Sequence, residues 1–111
     1  MPKAVMIVWS NPGEGADEGE YNSWYDSVHA KDVLKIPGFL SCTRFKLSEA
    51  QFGPIDAPGN YLAVYEVDME DLSDVPKRLG EAFAAGELPM SDVLAPGPML
   101  IAEEVAPRRT A

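Results

Sequence analysis

Residues Ala4–Ser10 read AVMIVWS. Apolar and β-branched side chains dominate the run, which marks it as a strand. Alternation is what it lacks. Val5, Ile7 and Trp9 belong to one face of a sheet, and Ala4, Met6 and Val8 to the other. A strand with one wet face alternates apolar with polar residues. Here both faces are apolar, so both call for cover.

Working outward, Pro and Gly punctuate the chain. Asn11-Pro12-Gly13 closes the first run, Pro37-Gly38 separates a helical pattern from an extended one, and Pro96-Gly97-Pro98 precedes the last apolar run. Asp17–Ile36 reads as a helix, with Asp17 as N-cap, Glu20 three residues on, and Pro37 as its stop. Gly38–Leu47 (GFLSCTRFKL) and Asn60–Val67 (NYLAVYEV) read as strands. A second helix covers about Ser73–Ala85, with Ser73 as N-cap, Leu72, Val75, Leu79 and Phe83 at helical spacing, and Gly86 just past its end. Gly97–Val105 (GPMLIAEEV) is a fourth strand, and residues 106–111 form a tail. The βαββαβ order specifies an α+β, ferredoxin-like sandwich: a four-stranded antiparallel sheet with two helices on one face. A single domain is expected over residues 1–111, with its core at about 4–105.

The other strands repeat the pattern of the first. Tyr61, Ala63, Tyr65 and Val67 oppose Asn60, Leu62, Val64 and Glu66; Met99 and Ile101 oppose Leu100 and Ala102. Two helices cover one face only. About six to eight apolar side chains would stay in water on the other, each worth roughly 1.5–3 kcal/mol when buried. That rivals the whole stability of a domain, about 5–15 kcal/mol. A homodimer joined sheet to sheet resolves the problem most simply. A docking face for a different protein is the alternative.

Composition narrows the partners. Nine Lys and Arg stand against 18 Asp and Glu, for a net charge of −9. Such a surface repels phosphate backbones and anionic lipid, so neither nucleic acid nor membrane is expected as a partner. One cysteine, Cys42, excludes an internal disulfide and a multi-cysteine zinc site, and fits a reducing, cytoplasmic setting. The run at Ala4–Trp9 is too short for a signal core or a membrane span. No flavin, nicotinamide or haem motif is visible, and no metal is expected. The acidic run Asp68, Glu70, Asp71 and Asp74 reads as an acidic turn at a helix start rather than a ligand set.

The chemistry gathers on the first helix. Tyr21, Tyr25, Val28 and Ile36 share one face at regular helical spacing, flanked by Trp24 and by His29, the only histidine. Asp32 lies three residues past His29, near the middle of the same face. At that spacing it can fix the imidazole tautomer, favour the charged ring and raise its basicity. His29 is therefore the candidate general acid/base, with Asp32 as orienter. The competing reading is a flank histidine bonded to a carbonyl. The rings of Trp9, Tyr25, Trp24, Phe39, Tyr61 and Tyr65 can wall a pocket for a flat apolar ligand, or simply fill a core. Arg44 can meet a ligand carboxylate or phenolate, or pair with Glu66 on the next strand, which is the favoured reading.

The segment EYNSWYDSVH (Glu20–His29), followed by IPGF (Ile36–Phe39) and Arg44-Phe45, resembles dimeric α+β-barrel proteins, the EthD-like branch in particular. YLAVYEV (Tyr61–Val67) is similar to the third strand of that family. The resemblance implies a ferredoxin-like protomer, a homodimer whose sheets close a barrel, and a ligand cavity between sheet and helices. Members include polyketide cyclases, muconolactone-type isomerases, cofactor-free monooxygenases, haem-degrading enzymes and proteins without known reaction. A pocket histidine serves as acid or base in several, a role that falls on His29 here. No second histidine is present to bind haem. The expected activity is a cofactor-free isomerase, cyclase or lyase acting on an aromatic, lactone or polyketide-like metabolite. Tyr25 would stand beside His29 and Asp32 in the catalytic group. A non-catalytic binding or accessory protein of aromatic degradation and a cofactor-free monooxygenase are the alternatives.

Overall fold

The computed structural model describes residues 3–111. Four strands, β1 (Lys3–Pro12), β2 (Phe39–Lys46), β3 (Tyr61–Asp68) and β4 (Leu94–Glu103), form one sheet in the order β2-β3-β1-β4. Every neighbouring pair is antiparallel. This is the ferredoxin-like arrangement that the element order specifies. β4 starts at Leu94, three residues before the expected Gly97, so it includes Pro96 and Pro98. An edge strand accommodates proline because one row of its backbone groups makes no ladder bonds. Gly97 is required there: a side chain at this point would lie 2.7 Å from the Trp9 carbonyl oxygen. The β1–β4 register shifts at the same place, between Val8 and Ser10.

The first helix is not continuous. It runs as α1 (Glu18–Trp24), a π-helical turn (Tyr25–His29) and α2 (Ala30–Val33), and ends ahead of Pro37. Asp17 caps α1 as expected, accepting from the Glu20 amide at 3.2 Å. The wide turn inserts one residue into the buried face. After Tyr21 and Tyr25 the chain buries Ala30 and Val33, where a regular helix would bury Val28 and Asp32. Val28 is consequently exposed and Asp32 only half-buried, contrary to the regular-helix expectation. The second helical layer is α3 (Asp74–Ala84). Ser73 precedes it without accepting a cap bond. Its amide and hydroxyl instead both donate to Asp71, at 2.9 and 2.6 Å.

Both helical layers lie over one sheet face. Ala4, Met6, Ser10, Tyr61, Ala63, Tyr65 and Val67 are buried there, with Tyr21, Tyr25, Val33 and Val75 above them. The opposite face carries Val5, Ile7, Leu62 and Val64, all half-buried, with the more exposed Phe45 and Leu100. No helix among the described residues is long and apolar enough to cross a membrane.

Candidate functional site

A cavity of about 590 Å³ opens between the sheet, the first helix and α3. That is a size suited to small-molecule sites, which run ≈ 300–1,000 Å³. Tyr25, His29 and Val33 form its helical wall, Met6, Val8 and Tyr65 its floor, and Leu79, Phe83, Met99 and Ile101 its outer side. Among the described residues no Asp, Glu, Lys or Arg lines it. The acidic run near α3 stays outside, and no group of three or more His, Cys, Asp or Glu able to hold a metal ion exists among the described residues.

His29 closes the π-turn. A π-turn is rare and recurs at functional sites because it displaces one residue from the helical register. The imidazole stacks on Trp24, with ring centroids 5.0 Å apart and planes 16° from parallel. Tyr25 meets it edge-on at 5.1 Å. Its Nδ1 is sealed from solvent and makes no hydrogen bond among the described residues, which leaves Nε2 as the nitrogen able to reach a ligand. The expected bond to Asp32 is absent. Asp32 instead accepts from Lys35 at 3.4 Å, because the wide turn rotates it away from the buried face. Nor is the charged ring favoured overall. Burial pushes the imidazole pKa below its ordinary value of 6.5, and the Asp32 charge offsets this only in part. This favours the neutral ring at neutral pH. A proton on the sealed Nδ1 would be an orphaned donor, which favours the tautomer protonated on Nε2.

The tyrosines behind His29 are buried and joined. Tyr65 Oη lies 3.4 Å from Tyr25 Oη. Burial pushes the Tyr25 phenol up to about 12 and the Tyr65 phenol higher still, so both stay protonated. Cys42, paired with Tyr65 across β2 and β3, has a thiol that burial also pushes up, which makes it a poor nucleophile.

Of the residues singled out in the sequence, Trp9, Tyr25, His29 and Tyr65 line the cavity. Trp24, Phe39, Tyr61, Arg44 and Asp32 do not. Trp24 backs His29, and Phe39 packs on Tyr65 at 6.4 Å. Tyr61 hydrogen-bonds Glu18, which also holds Lys46 at 3.1 Å. Arg44 does not pair with Glu66, which lies on the opposite sheet face. It crosses to the first helix, donating to Asp26 at 2.8 Å and to Asn22 at 3.0 Å, with its guanidinium 4.3 Å from the Tyr25 ring centre. Sequence reasoning missed the apolar outer side. Leu79 and Phe83 carry a signal, the apolar stripe of the second helix; Leu88 and Met90, in the connection to β4, carry none.

No family model matches the chain, and no curated protein matches it in sequence. Two solved structures share its fold. HapK from Hahella chejuensis superposes with a TM-score of 0.60 at 14% identity, over 100% of this chain and 99% of HapK. An ethyl tert-butyl ether d (EthD) family protein from Bacillus halodurans gives a TM-score of 0.54 at 18% identity, over 95% of this chain and 100% of the other. This chain has their fold. The EthD family protein belongs to the family that the motif around His29 resembles, and the likeness is one of backbone rather than of individual residues.

Proposed function

We propose that the protein is a cofactor-free enzyme of the EthD-like kind that moves a proton on a small aromatic, lactone or polyketide-like metabolite. The observation that carries this reading is the chain's one imidazole, set into the wall of an apolar cavity, where burial disfavours its charged form. His29 exchanges protons with the ligand through Nε2. In the resting tautomer it is a donor, suited to polarising or protonating an oxygen. To accept a proton at Nε2 the ring must first place its own on Nδ1. Asp32, whose charge already acts on the ring, is the carboxylate that can receive that N–H once it leaves Lys35. Isomerisation, cyclisation and retro-aldol cleavage all need such a donor and acceptor in turn.

Turnover assays on neutral aromatic and lactone substrates test this. His29→Ala should abolish any activity found, and unchanged turnover would contradict the assignment. A binding or accessory role is the second reading, favoured by the engagement of Asp32 with Lys35. Under it His29→Ala alters affinity alone. The apolar sheet face bearing Ile7, Val64, Phe45 and Leu100 supports a homodimer. Light scattering at low concentration should return twice the protomer mass; a stable monomer would contradict it.

A further inference from the structure

The cavity offers a ligand hydrogen-bond donors and no charge. Two hydroxyls joined by one hydrogen bond have two protons and spend one. Tyr25 and Tyr65 are such a pair, and both line the cavity. Tyr65 donates to Tyr25, so the Tyr25 O–H remains unspent in a buried place, where a free donor is costly. The Cys42 thiol is a weak second partner of Tyr65 and not of Tyr25, and leaves that proton free. The Ser10 hydroxyl, also in the lining, is held 2.5 Å from the Tyr21 hydroxyl. His29 adds the Nε2 proton one ring away, 5.1 Å between ring centres.

The nearest cation is withheld. Arg44 lies against the Tyr25 ring but is occupied by Asp26 and Asn22, and it lines no part of the cavity. A carboxylate ligand would therefore be buried without a counter-charge, which is heavily unfavourable, in a protein of net charge −9. We infer that the Tyr25–Tyr65 hydroxyl pair is the oxygen-binding element of the cavity, and that its ligand is an uncharged molecule whose carbonyl oxygen accepts from the pair beside His29. The inference rests on the cavity being the ligand site. It names the ligand class and makes Tyr65 a positioning residue that acts through Tyr25.

Three probes of one size test it: acetylnaphthalene, ethylnaphthalene and naphthoate, titrated by tryptophan fluorescence, with the carbonyl stretch of bound acetylnaphthalene read in the infrared. The native protein should bind the ketone more tightly than the hydrocarbon, and the carboxylate weakest. Tyr25→Phe keeps the ring and should weaken the ketone about threefold to tenfold, the worth of one hydrogen bond. Hydrocarbon affinity should be unchanged, and the carbonyl stretch should return toward its value in apolar solvent. Tyr65→Phe should give a smaller loss in the same direction, which guards against a folding defect in one variant. Equal weakening of ketone and hydrocarbon, or naphthoate binding as tightly as the ketone, overturns the inference and leaves the cavity reading intact. Failure of all three probes to bind overturns both. An effect of Tyr25→Phe on the ketone with no effect of His29→Ala on turnover upholds the inference and removes the proton-transfer reading.

Discussion

The two walls of the cavity are built differently. The first-helix wall is aromatic, buried and cross-linked: Tyr21 and Tyr25 are almost fully buried, Tyr21 bonds Ser10, Tyr25 bonds Tyr65, and Arg44 lies over the Tyr25 ring. The outer wall of α3 and β4 is apolar and open. Phe83 is 62% exposed, Met99 63% and Ile101 39%, with Met90 beside them. A rigid wall can hold a reacting group in place, whereas an exposed methionine-rich wall adapts to shape. Under the proposed function the first wall carries the chemistry and the second admits the ligand.

The largest effect should separate these roles outright. His29→Ala should lower kcat by roughly 10²–10⁴-fold on any substrate that turns over. Met99→Ala should act mainly through KM. Equal kcat losses in steady-state assays would erase the distinction between the walls. Stability should divide along the same line. Tyr21→Ala removes a fully buried ring and should cost about 3–5 kcal/mol in urea unfolding, whereas Phe83→Ala should stay within about 0.5 kcal/mol. A large loss at Phe83 would mean that the outer wall is covered in solution and is not the open side of the cavity.

How much of this was legible in the sequence follows the same division. The strands, the Asp17 cap and the ferredoxin-like order depend on local alternation and turn chemistry, and they were readable. The one-residue insertion at Tyr25–His29 was not, because a helical wheel assumes a constant period. A regular wheel therefore puts Val28 and Asp32 on the buried face, where Ala30 and Val33 lie. The pairing of Arg44 with Asp26 spans 18 residues and depends on how a helix lies over the sheet, which no local pattern encodes. The cavity lining from Leu88 and Met90 comes from a connection that looks like any loop. His29, Tyr25, Tyr65 and Trp9 were readable as candidates because the residue types themselves carry chemistry.

A pH effect of smaller size sharpens the account of the rigid wall. Burial holds His29 below its ordinary pKa of 6.5, so the unfolded chain binds the extra proton more readily. The stabilising contribution is complete above about 6.5 and is lost as pH falls toward the depressed value. Thermal melts should decline through this window in the native protein and less steeply in His29→Gln. Parallel curves would mean that the ring is not desolvated. The smallest effect belongs to Asp26, which is mostly exposed. Asp26→Asn should cost under about 1 kcal/mol, with Asn22 still holding Arg44.

The proposed function needs His29 to be a neutral ring presenting Nε2–H to an apolar cavity. Because it is the only histidine, ¹⁵N-histidine labelling gives one pair of ring signals, and their pH titration in NMR tests the claim most directly. The account predicts the Nε2–H tautomer at neutral pH, a midpoint below 6.5, and a shift of the Nε2 signal when acetylnaphthalene is added. A midpoint at or above 6.5, or a ring protonated on Nδ1, would contradict it.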